Sequence, residues 1–570
     1  MFDGYLDNAT ELAAELRLAA PCSREDVYAA ALDRWGDDAD LHCIGVYATI
    51  ALAADARSLR LARSPYEAPP LYYHCNAGWA MAGSVPRAFF AAGVPRELDR
   101  SYLIRSLLYQ VRESGANWYR GIDRVGVGET VTLDLQGART RLYYDPETFT
   151  RQALRPAEVP EQAWDLLKQG AGHVASTFAN PGMLLSGGLD SPLTAVALLE
   201  VLPPERDLLA FTFVPCPEWD GLLRPDLMGD ERPLVEALAA MHPRIKVSFH
   251  DNAGRGVDYG WRDVFAASDV ATPGMPNSYA FHAVWEAARS SGCDGVVTAE
   301  YGNLTYSTPG RWACAEYLRR GRWGQLRRSL APAPGDERTW PRRFMARAVM
   351  PHLPLAVRRL TRRLRGQVIS PVIGKGPLNP ALRNSPENFA EDGTRLDPFT
   401  GFVPRDHGEF ANTALRDGTD YAADVHQAFE QIHGIRRRDA TAYRPLIEFC
   451  LTLATEEFEY DGVDRYLARR MAVGRVPDAV RLNPRYGRHG VDWHARIGAQ
   501  RPELLARLRA LRDFPEAAEL IDLDAAIRAL ENWPERTTYD PEVWAGILGT
   551  ATRALLMGGF LNYVHGRNDI

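Results

Sequence analysis

Nine residues, Met183-Leu-Leu-Ser-Gly-Gly-Leu-Asp-Ser191, constrain this chain more than any other stretch. An apolar run enters two glycines flanked by serines, and a new apolar-periodic segment, 191–202, follows; the pattern predicts strand, tight loop and helix. Gly187 and Gly188 are expected to adopt backbone angles closed to other residues, turning successive N–H groups inward at the positive end of the helix. That makes an anion cradle, to which Ser186 and Ser191 add hydroxyl donors, while Pro192 fits a first helical turn where its missing N–H costs nothing. Asp190 is the misfit. A carboxylate beside a phosphate repels it unless a cation lies between, which points to Mg2+. The Gly-Lys-Ser/Thr ending of a Walker loop is absent and no lysine lies nearby, so a different phosphate chemistry is implied.

The chain has 570 residues, enough for two or three domains that each bury a core. Its hydrophobic content of 46% and charged content of 24% are those of an ordinary globular protein, and a net charge of −7 argues against general nucleic-acid binding. No apolar run is read as reaching the roughly 18 residues of a membrane span; the longest candidate, 44–54, is short and interrupted. Met1-Phe-Asp-Gly lacks the basic start of a signal peptide. Seven cysteines (Cys22, Cys43, Cys75, Cys216, Cys293, Cys314, Cys450) are scattered without metal-ligand or pairing pattern, which suits a reduced, cytoplasmic compartment. Lysine occurs only at Lys168, Lys246 and Lys375, so lysine catalysis has few candidates.

Residues 1–144 alternate between short helical and strand-like patterns: 8–18 reads as helix, and 44–53, 59–62 and 71–74 as strands. Residues 146–162 are rich in proline and polar residues without a sustained period and read as a linker. From Trp164 strands alternate with helices: 184–185, helix to 202, 208–214, helix 233–241, 245–249, helix 280–290, 295–299. Such alternation predicts an α/β fold, a doubly wound parallel sheet with ligands at the carboxyl ends of its strands. The stretch 311–365 holds 15 arginines among apolar helical spacings, either a solvated helix pair or a docking surface for an acidic peptide or partner. Residues 366–404 read as a long loop beside the site. Beyond 421 helices dominate, including 446–454 and an amphipathic 551–564.

The Ser186-Gly-Gly-Leu-Asp-Ser191 string resembles the pyrophosphate loop of ATP pyrophosphatases, which adenylate a carboxylate or carbonyl and release pyrophosphate. Taken in order, Phe2-Asp-Gly-Tyr-Leu-Asp-Asn8, Leu61-Ala-Arg-Ser-Pro65, Pro70-Leu-Tyr-Tyr73 and Tyr119-Arg-Gly-Ile-Asp-Arg-Val125 look like the glutaminase-type amino-terminal domain of asparagine synthetases. The resemblance implies an N-terminal-nucleophile domain of αββα layers over 1–145, a linker over 146–162 and an ATP-dependent synthetase domain over 163–570. In that family the nucleophile is a cysteine at the very start; here Phe2 follows Met1, so glutamine hydrolysis is expected to be absent. Cys22, Cys43 and Cys75 are weak substitutes, because a free cysteine is usually a small buried hydrophobe.

Thr298-Ala-Glu-Tyr-Gly-Asn303 stands where asparagine synthetases carry Ser-Gly-Glu-Gly-Ser-Asp. The resemblance implies that Glu300 is the acid-base residue and that Asn303 replaces a second magnesium-binding aspartate, leaving Asp190 the sole protein carboxylate on the metal. It further implies an ATP and pyrophosphate site of Leu184, Ser186, Gly187, Gly188, Asp190, Ser191, Phe213 and Ala299. Arg485 lines up with a lysine that stabilises the developing anion, with Arg488 its competitor; an arginine there neutralises charge but cannot shuttle a proton.

The string Tyr301-Gly-Asn-Leu-Thr-Tyr-Ser307, with Gly310 after it, is closer to a branch of the superfamily in which many members are lasso-peptide cyclases. Gly434-Ile-Arg-Arg-Arg-Asp-Ala-Thr441 and Leu446-Ile-Glu-Phe-Cys450 look like that branch's helical region, and Pro477-Asp-Ala-Val480 and Gly490-Val-Asp-Trp493 extend the likeness. The expectation is an ATP- and Mg2+-dependent ligase that adenylates a peptide's side-chain carboxylate and lets the peptide's own amine displace AMP. Its substrate would be a precursor core peptide, with protease or leader-binding proteins as partners. The rivals are an asparagine synthetase using ammonia, a β-lactam-type synthetase, and a non-catalytic ATP-binding scaffold.

Overall fold

The computed structural model describes residues 1–53, 57–76, 78–108, 117–134, 136–152, 154–272, 274–332, 336, 338–354, 357, 360, 376–383, 403–416 and 420–567. The expected loop 366–404 lies outside the described residues except for 376–383 and 403–404.

The amino-terminal strands are β1 (Phe2–Leu6), β2 (Gly45–Leu52), β3 (Leu59–Arg63), β4 (Tyr72–Cys75), β5 (Ala80–Gly83), β6 (Asp123–Arg124), β7 (Glu129–Asp134) and β8 (Gly137–Leu142). They form an antiparallel sheet in the order β1-β2-β3-β7-β8 and a smaller one in the order β5-β4-β6. Alternation along β2 assigns the faces. Tyr47 packs with Leu12, Val27 and Tyr28 beneath the helices Ala9–Glu15 and Arg24–Trp35, whereas Ala48 joins Leu61, Val131 and Leu133 against Leu71 and Tyr73 of the second sheet. The far side of that second sheet carries Tyr72 against Phe89, Leu103 and Ile104 of the helices Arg87–Ala91 and Arg100–Leu107. The layers are therefore helix, sheet, sheet, helix, as expected.

The second half is built on β9 (Pro181–Leu184), β10 (Leu208–Phe213), β12 (Ile245–His250), β13 (Gly295–Thr298) and β14 (Arg436–Asp439), a parallel sheet in the order β12-β10-β9-β13-β14; a two-residue strand β11 (Leu227–Met228) lies outside it. Ala210 and Val297 face one core with Leu193 and Leu198, while their neighbours Phe211 and Val296 face the other with Val284 and Trp285. Helices cover both faces, which is why these strands read as near-continuous apolar runs. The helix Asp190–Val201 is buried on every side from Asp190 to Leu199, since it lies between the sheet and the helix Val159–Thr177. Burying a leucine such as Leu193 stabilises by about 1.5–3 kcal/mol. The chain runs from β9 outward to β10 and β12, then returns to the other side of β9 for β13 and β14. That reversal opens a crevice at the carboxyl ends of β9 and β13.

Four expectations change. The segment 434–441, read as helical, contains the edge strand β14, paired with β13 from Gly295 to Thr298. The helix Val159–Thr177 begins inside the stretch read as linker. The helix Thr552–Val564 is not amphipathic: Leu555, Met557, Phe560 and Leu561 point in different directions and all are buried. Together with the turns before it, the helical run Pro541–Val564 spans 24 residues and is long and apolar enough to cross a membrane, contrary to the expectation that no run reaches that length. Its most apolar window is 72% buried inside the protein, against residues such as Phe265 and Trp118.

Among the described residues of 311–365, several arginines are engaged locally. Arg320 pairs with Glu316 at 2.8 Å, Arg328 with Asp461 at 2.5 Å and Arg338 with Asp336 at 2.7 Å, and Arg343 and Arg347 donate to the carbonyls of Leu330 and Ser329.

The two halves are joined by buried ion pairs. Arg63 holds Asp420 through two nitrogens, at 2.7 and 3.1 Å, Arg124 reaches Asp424 at 2.7 Å, and Arg438 reaches Asp7 at 2.7 Å.

Candidate functional site

β9 delivers the chain to the crevice, where Leu185 N–H still bonds the carbonyl of Phe211 and the loop then folds on itself. Ser186 N–H donates to Ser191 Oγ at 2.8 Å, the two hydroxyls lie 2.8 Å apart, and Gly188 N–H reaches Ser186 Oγ at 3.3 Å. Neither Gly187 nor Gly188 has a positive φ, so the expected left-handed turn is not how these glycines act. Space is the reason at Gly187: a Cβ there would lie 3.0 Å from Leu234 Cβ and 3.2 Å from Glu231 Cβ. Gly187 N–H donates to Glu231 Oε2 at 2.8 Å. That loop amide is therefore occupied by a carboxylate oxygen of the protein itself.

Asp190, the first residue of the helix, is 7% exposed, and its Oδ1 is buried without a hydrogen-bond partner. Burial pushes its carboxyl up to about 6, against the pull of Arg465. Gly302, in the helical turn Tyr301–Leu304 after β13, is a glycine because a Cβ there would run into this carboxylate. An orphaned, buried carboxylate oxygen beside an anion loop fits a hard divalent cation. Asn303 is exposed, and its Oδ1 accepts from Arg465 Nη2 at 3.3 Å. Arg465 thus meets Asn303 directly and acts on Asp190 through its charge. Arg465, at φ 51°, rests over the Tyr486 ring at 4.8 Å.

Glu300 follows β13 and faces a cavity of about 280 Å3 walled by Tyr5, Val46, Pro69, Asn303 and His426. Half of its side-chain surface stays open. Burial would raise its carboxyl, but Arg437 Nη2 at 3.1 Å from Oε2, then His426, bring it below the usual carboxylate range. His426 Nε2 lies 3.5 Å from the same oxygen, and burial, reinforced by Arg437, pushes that imidazole down to about 4, so it is neutral at pH 7. The Glu300 backbone is fixed as firmly as its side chain is oriented, since Asp439 Oδ2 accepts from Glu300 N–H at 2.5 Å and Tyr301 N–H at 3.2 Å.

Of the other expected residues, Leu184 and Phe213 end β9 and β10 and Ala299 follows β13 at the same crevice, where Phe213 stacks on His489 at 5.3 Å. Arg485 is exposed, its backbone N–H on Asn483 Oδ1 at 3.1 Å, and among the described residues no contact joins its side chain to Glu300 or the loop. Arg488 lies over the Trp544 ring at 4.9 Å, away from the loop. Sequence reasoning missed Glu67, Arg437, Asp439, His426 and Arg465. The available signal was the charged run Arg436-Arg-Arg-Asp439, since three of those residues are buried in a strand. Burial also pushes the thiols of Cys43, Cys293 and Cys314 up, to about 12, 11 and 11, which leaves them inert.

Comparison with known proteins bears on this geometry. The family model described as asparagine synthase matches residues 165–548, and the one described as glutamine amidotransferase domain matches residues 1–144. No curated protein matches. Among solved structures, a glutamine phosphoribosylpyrophosphate amidotransferase from B. subtilis, complexed with ADP and GMP, is 12% identical at a TM-score of 0.19, over 44% of this chain and 60% of that one. An allosteric regulatory enzyme of purine biosynthesis gives the same identity and score, over 44% and 59%. The chain thus spans about 60% of the length of these structures, and at such scores neither bears on fold or chemistry.

Proposed function

The chain belongs to the asparagine synthase family, the family of ATP-dependent carbon–nitrogen ligases that its residues 165–548 match, and we propose on that footing that it cyclises a peptide by an amide bond, as a lasso-peptide cyclase. A side-chain carboxylate attacks the α-phosphorus of ATP, pyrophosphate leaves, and the peptide's N-terminal amine displaces AMP while giving up a proton. The observation that carries the ligase chemistry is the adjacency, at one sheet edge, of the Asp190 loop and of Glu300.

The loop amides and the Ser186 and Ser191 hydroxyls would hold the phosphates once Glu231 yields Gly187 N–H. Bound Mg2+ would neutralise phosphate charge, with Asp190 its protein carboxylate and Asn303 the second expected ligand. Leu184, Phe213 and Ala299 would wall the nucleotide. Glu300, kept ionised by Arg437, would take the amine proton, with neutral His426 beside it. Arg485 is proposed for the developing anion, with the charge of Arg465 already acting on Asp190. The cavity in front of Glu300 is large enough for a residue-sized group, which favours an amine carried on a chain over free ammonia. Holding amine and adenylate together gives the advantage of an intramolecular step, worth up to about 7–11 kcal/mol.

The test is incubation with ATP, Mg2+ and a panel of linear peptides, each with a free N-terminal amine and one aspartate or glutamate. AMP, pyrophosphate and a product lighter by one water are expected. AMP formed from aspartate and ammonium, with none from any peptide, would replace this reading by an ammonia-using asparagine synthetase.

A further inference from the structure

We propose that Glu67, in the amino-terminal half, is a positioning residue of the ligase site, holding Glu300 in place through Arg437 and Asp439, so that the site is incomplete without that half. The inference rests on the reading of Glu300 as the base.

Two separate paths join Glu67 to Glu300. The first runs through one guanidinium: Arg437 Nη1 donates to Glu67 Oε1 at 2.5 Å, and Nη2 of the same side chain lies 3.1 Å from Glu300 Oε2. Arg437 is 4% and Glu67 7% exposed in their side chains, so water does not compete for this bridge. The second path runs through the backbone. Asp439 N–H donates to Glu67 Oε2 at 3.1 Å, and the Asp439 carboxylate in turn accepts from the N–H groups of Glu300 and Tyr301. A third bond closes the ring, from Glu67 N–H to the Tyr301 hydroxyl at 2.9 Å. Both the orientation of the Glu300 carboxylate and the position of its backbone therefore depend on Glu67.

The backbone of Glu67 points the same way. Its φ is 54°, a left-handed conformation that is strained for a residue with a Cβ and open to glycine. A glutamate is held there in spite of that strain, and its side chain spans from a turn of one half to two residues of the other. The ion pair between Arg438 and Asp7 also crosses between the halves in a buried setting, but Asp7 has no contact with Glu300 or with Arg437 among the described residues, so it serves as the control.

Arg437 is shared among three carboxylates, with Glu67 at 2.5 Å, Glu300 at 3.1 Å and Asp439 at 3.8 Å. Loss of Glu67 would let its second nitrogen turn to Glu300, capturing the base in a two-point grip and freeing its backbone from one anchor. Binding of ATP and formation of the adenylate, which use the Asp190 loop, do not pass through this network.

The experiment compares full-length wild type with Glu67→Gln, Glu67→Gly and Asp7→Asn. A peptide cyclised in the preceding assay is the probe, read by ATP–pyrophosphate exchange, by kcat for product and KM for ATP, and by thermal unfolding. Glu67→Gly, which relieves the strain while removing the carboxylate, is expected to lower kcat for product by roughly 10²-fold, the effect of an ångström-scale misplacement. Exchange and KM for ATP should stay within about twofold, the range a positioning change leaves to the nucleotide side. Glu67→Gln keeps an acceptor for Arg437 and should recover part of kcat, whereas Asp7→Asn should unfold at lower temperature with kcat unchanged. An unchanged kcat in Glu67→Gly, or exchange falling in step with it, overturns the inference. Should the wild type itself give neither exchange nor product, the functional reading fails, and crystal structures then decide the inference alone. A Glu300 carboxylate displaced in Glu67→Gly supports it, and one left in place sinks it.

Discussion

Asp190 and Glu300 follow adjacent parallel strands, yet their surroundings push the two carboxyls in opposite directions. Burial raises Asp190 to about 6 against the pull of Arg465, while Arg437 overrides burial and keeps Glu300 ionised. Such separation is how one site assigns different roles to two acids. Asp190→Ala should abolish ATP–pyrophosphate exchange and product together, since the loop amides alone cannot offset triphosphate charge. Glu300→Gln keeps the shape without the base, so exchange should persist while product falls by roughly 10² to 10⁴; a parallel fall in both would remove Glu300 from that role. Glu231 supplies a second comparison. Its carboxylate occupies Gly187 N–H, and Glu231→Ala removes that competitor, so KM for ATP should drop about fivefold, the worth of one hydrogen bond of roughly 1 kcal/mol. A KM that rises would mean the carboxylate supports the loop instead. Asp190 and Glu300 were legible in the sequence because each sits within a continuous string next to a strand. Glu67, His426 and Arg465 were not, because their place in the site comes from contacts with residues more than 100 positions away.

At the scale of elements, what the sequence expressed was local period and punctuation. The apolar run into Gly187 and the alternation of 208–214, 245–249 and 295–299 with helical segments located β10, β12 and β13 within a residue of their ends. Two elements escaped for opposite reasons. β14 is a run of charges, Arg436 to Asp439, whose burial depends on Glu67, Asp7 and Glu430 supplying partners from elsewhere. The helix Thr552–Val564 has apolar residues on every face because the protein surrounds it, which a helix lying on a surface does not require. Gly187 was misread in mechanism rather than in place: its need is close approach, not positive φ. Gly302 tests that distinction, because it too has no positive φ, and a Cβ there meets the Asp190 carboxylate. Gly302→Ala should therefore cut ATP–pyrophosphate exchange by roughly 10²-fold, through displacement of Asp190, with an unchanged circular dichroism spectrum. Exchange within twofold of wild type would mean that the loop yields and that Asp190 tolerates the shift.

For the whole molecule, burial decides how stability responds to acid. His282 and His433 lie against each other at 3.1 Å between the helices Ser278–Ser290 and Ala423–His433, and His407 stacks on Trp312 at 4.7 Å. Burial is the main cause in each case, and it pushes the three imidazoles down to about 3, 4 and 3 respectively. All three are neutral in the folded protein at pH values where the unfolded chain, with histidines near 6.5, binds protons. The unfolded state thus holds more protons than the folded one between about pH 6.5 and 4, and stability must fall as pH falls through that window. Above pH 6.5 the contribution is fully present. Each histidine accounts for a slope of at most about 1.4 kcal/mol per pH unit, so together they outweigh any single surface ion pair. His407→Phe keeps the stacked ring and removes one titrating group. Urea unfolding at pH 7, 6 and 5 should show a steep loss for the wild type and, for His407→Phe, a slope smaller by about one proton, whatever the variant costs at pH 7. Equal slopes would mean that His407 is protonated in the folded state and that its burial against Trp312 does not exclude the charge.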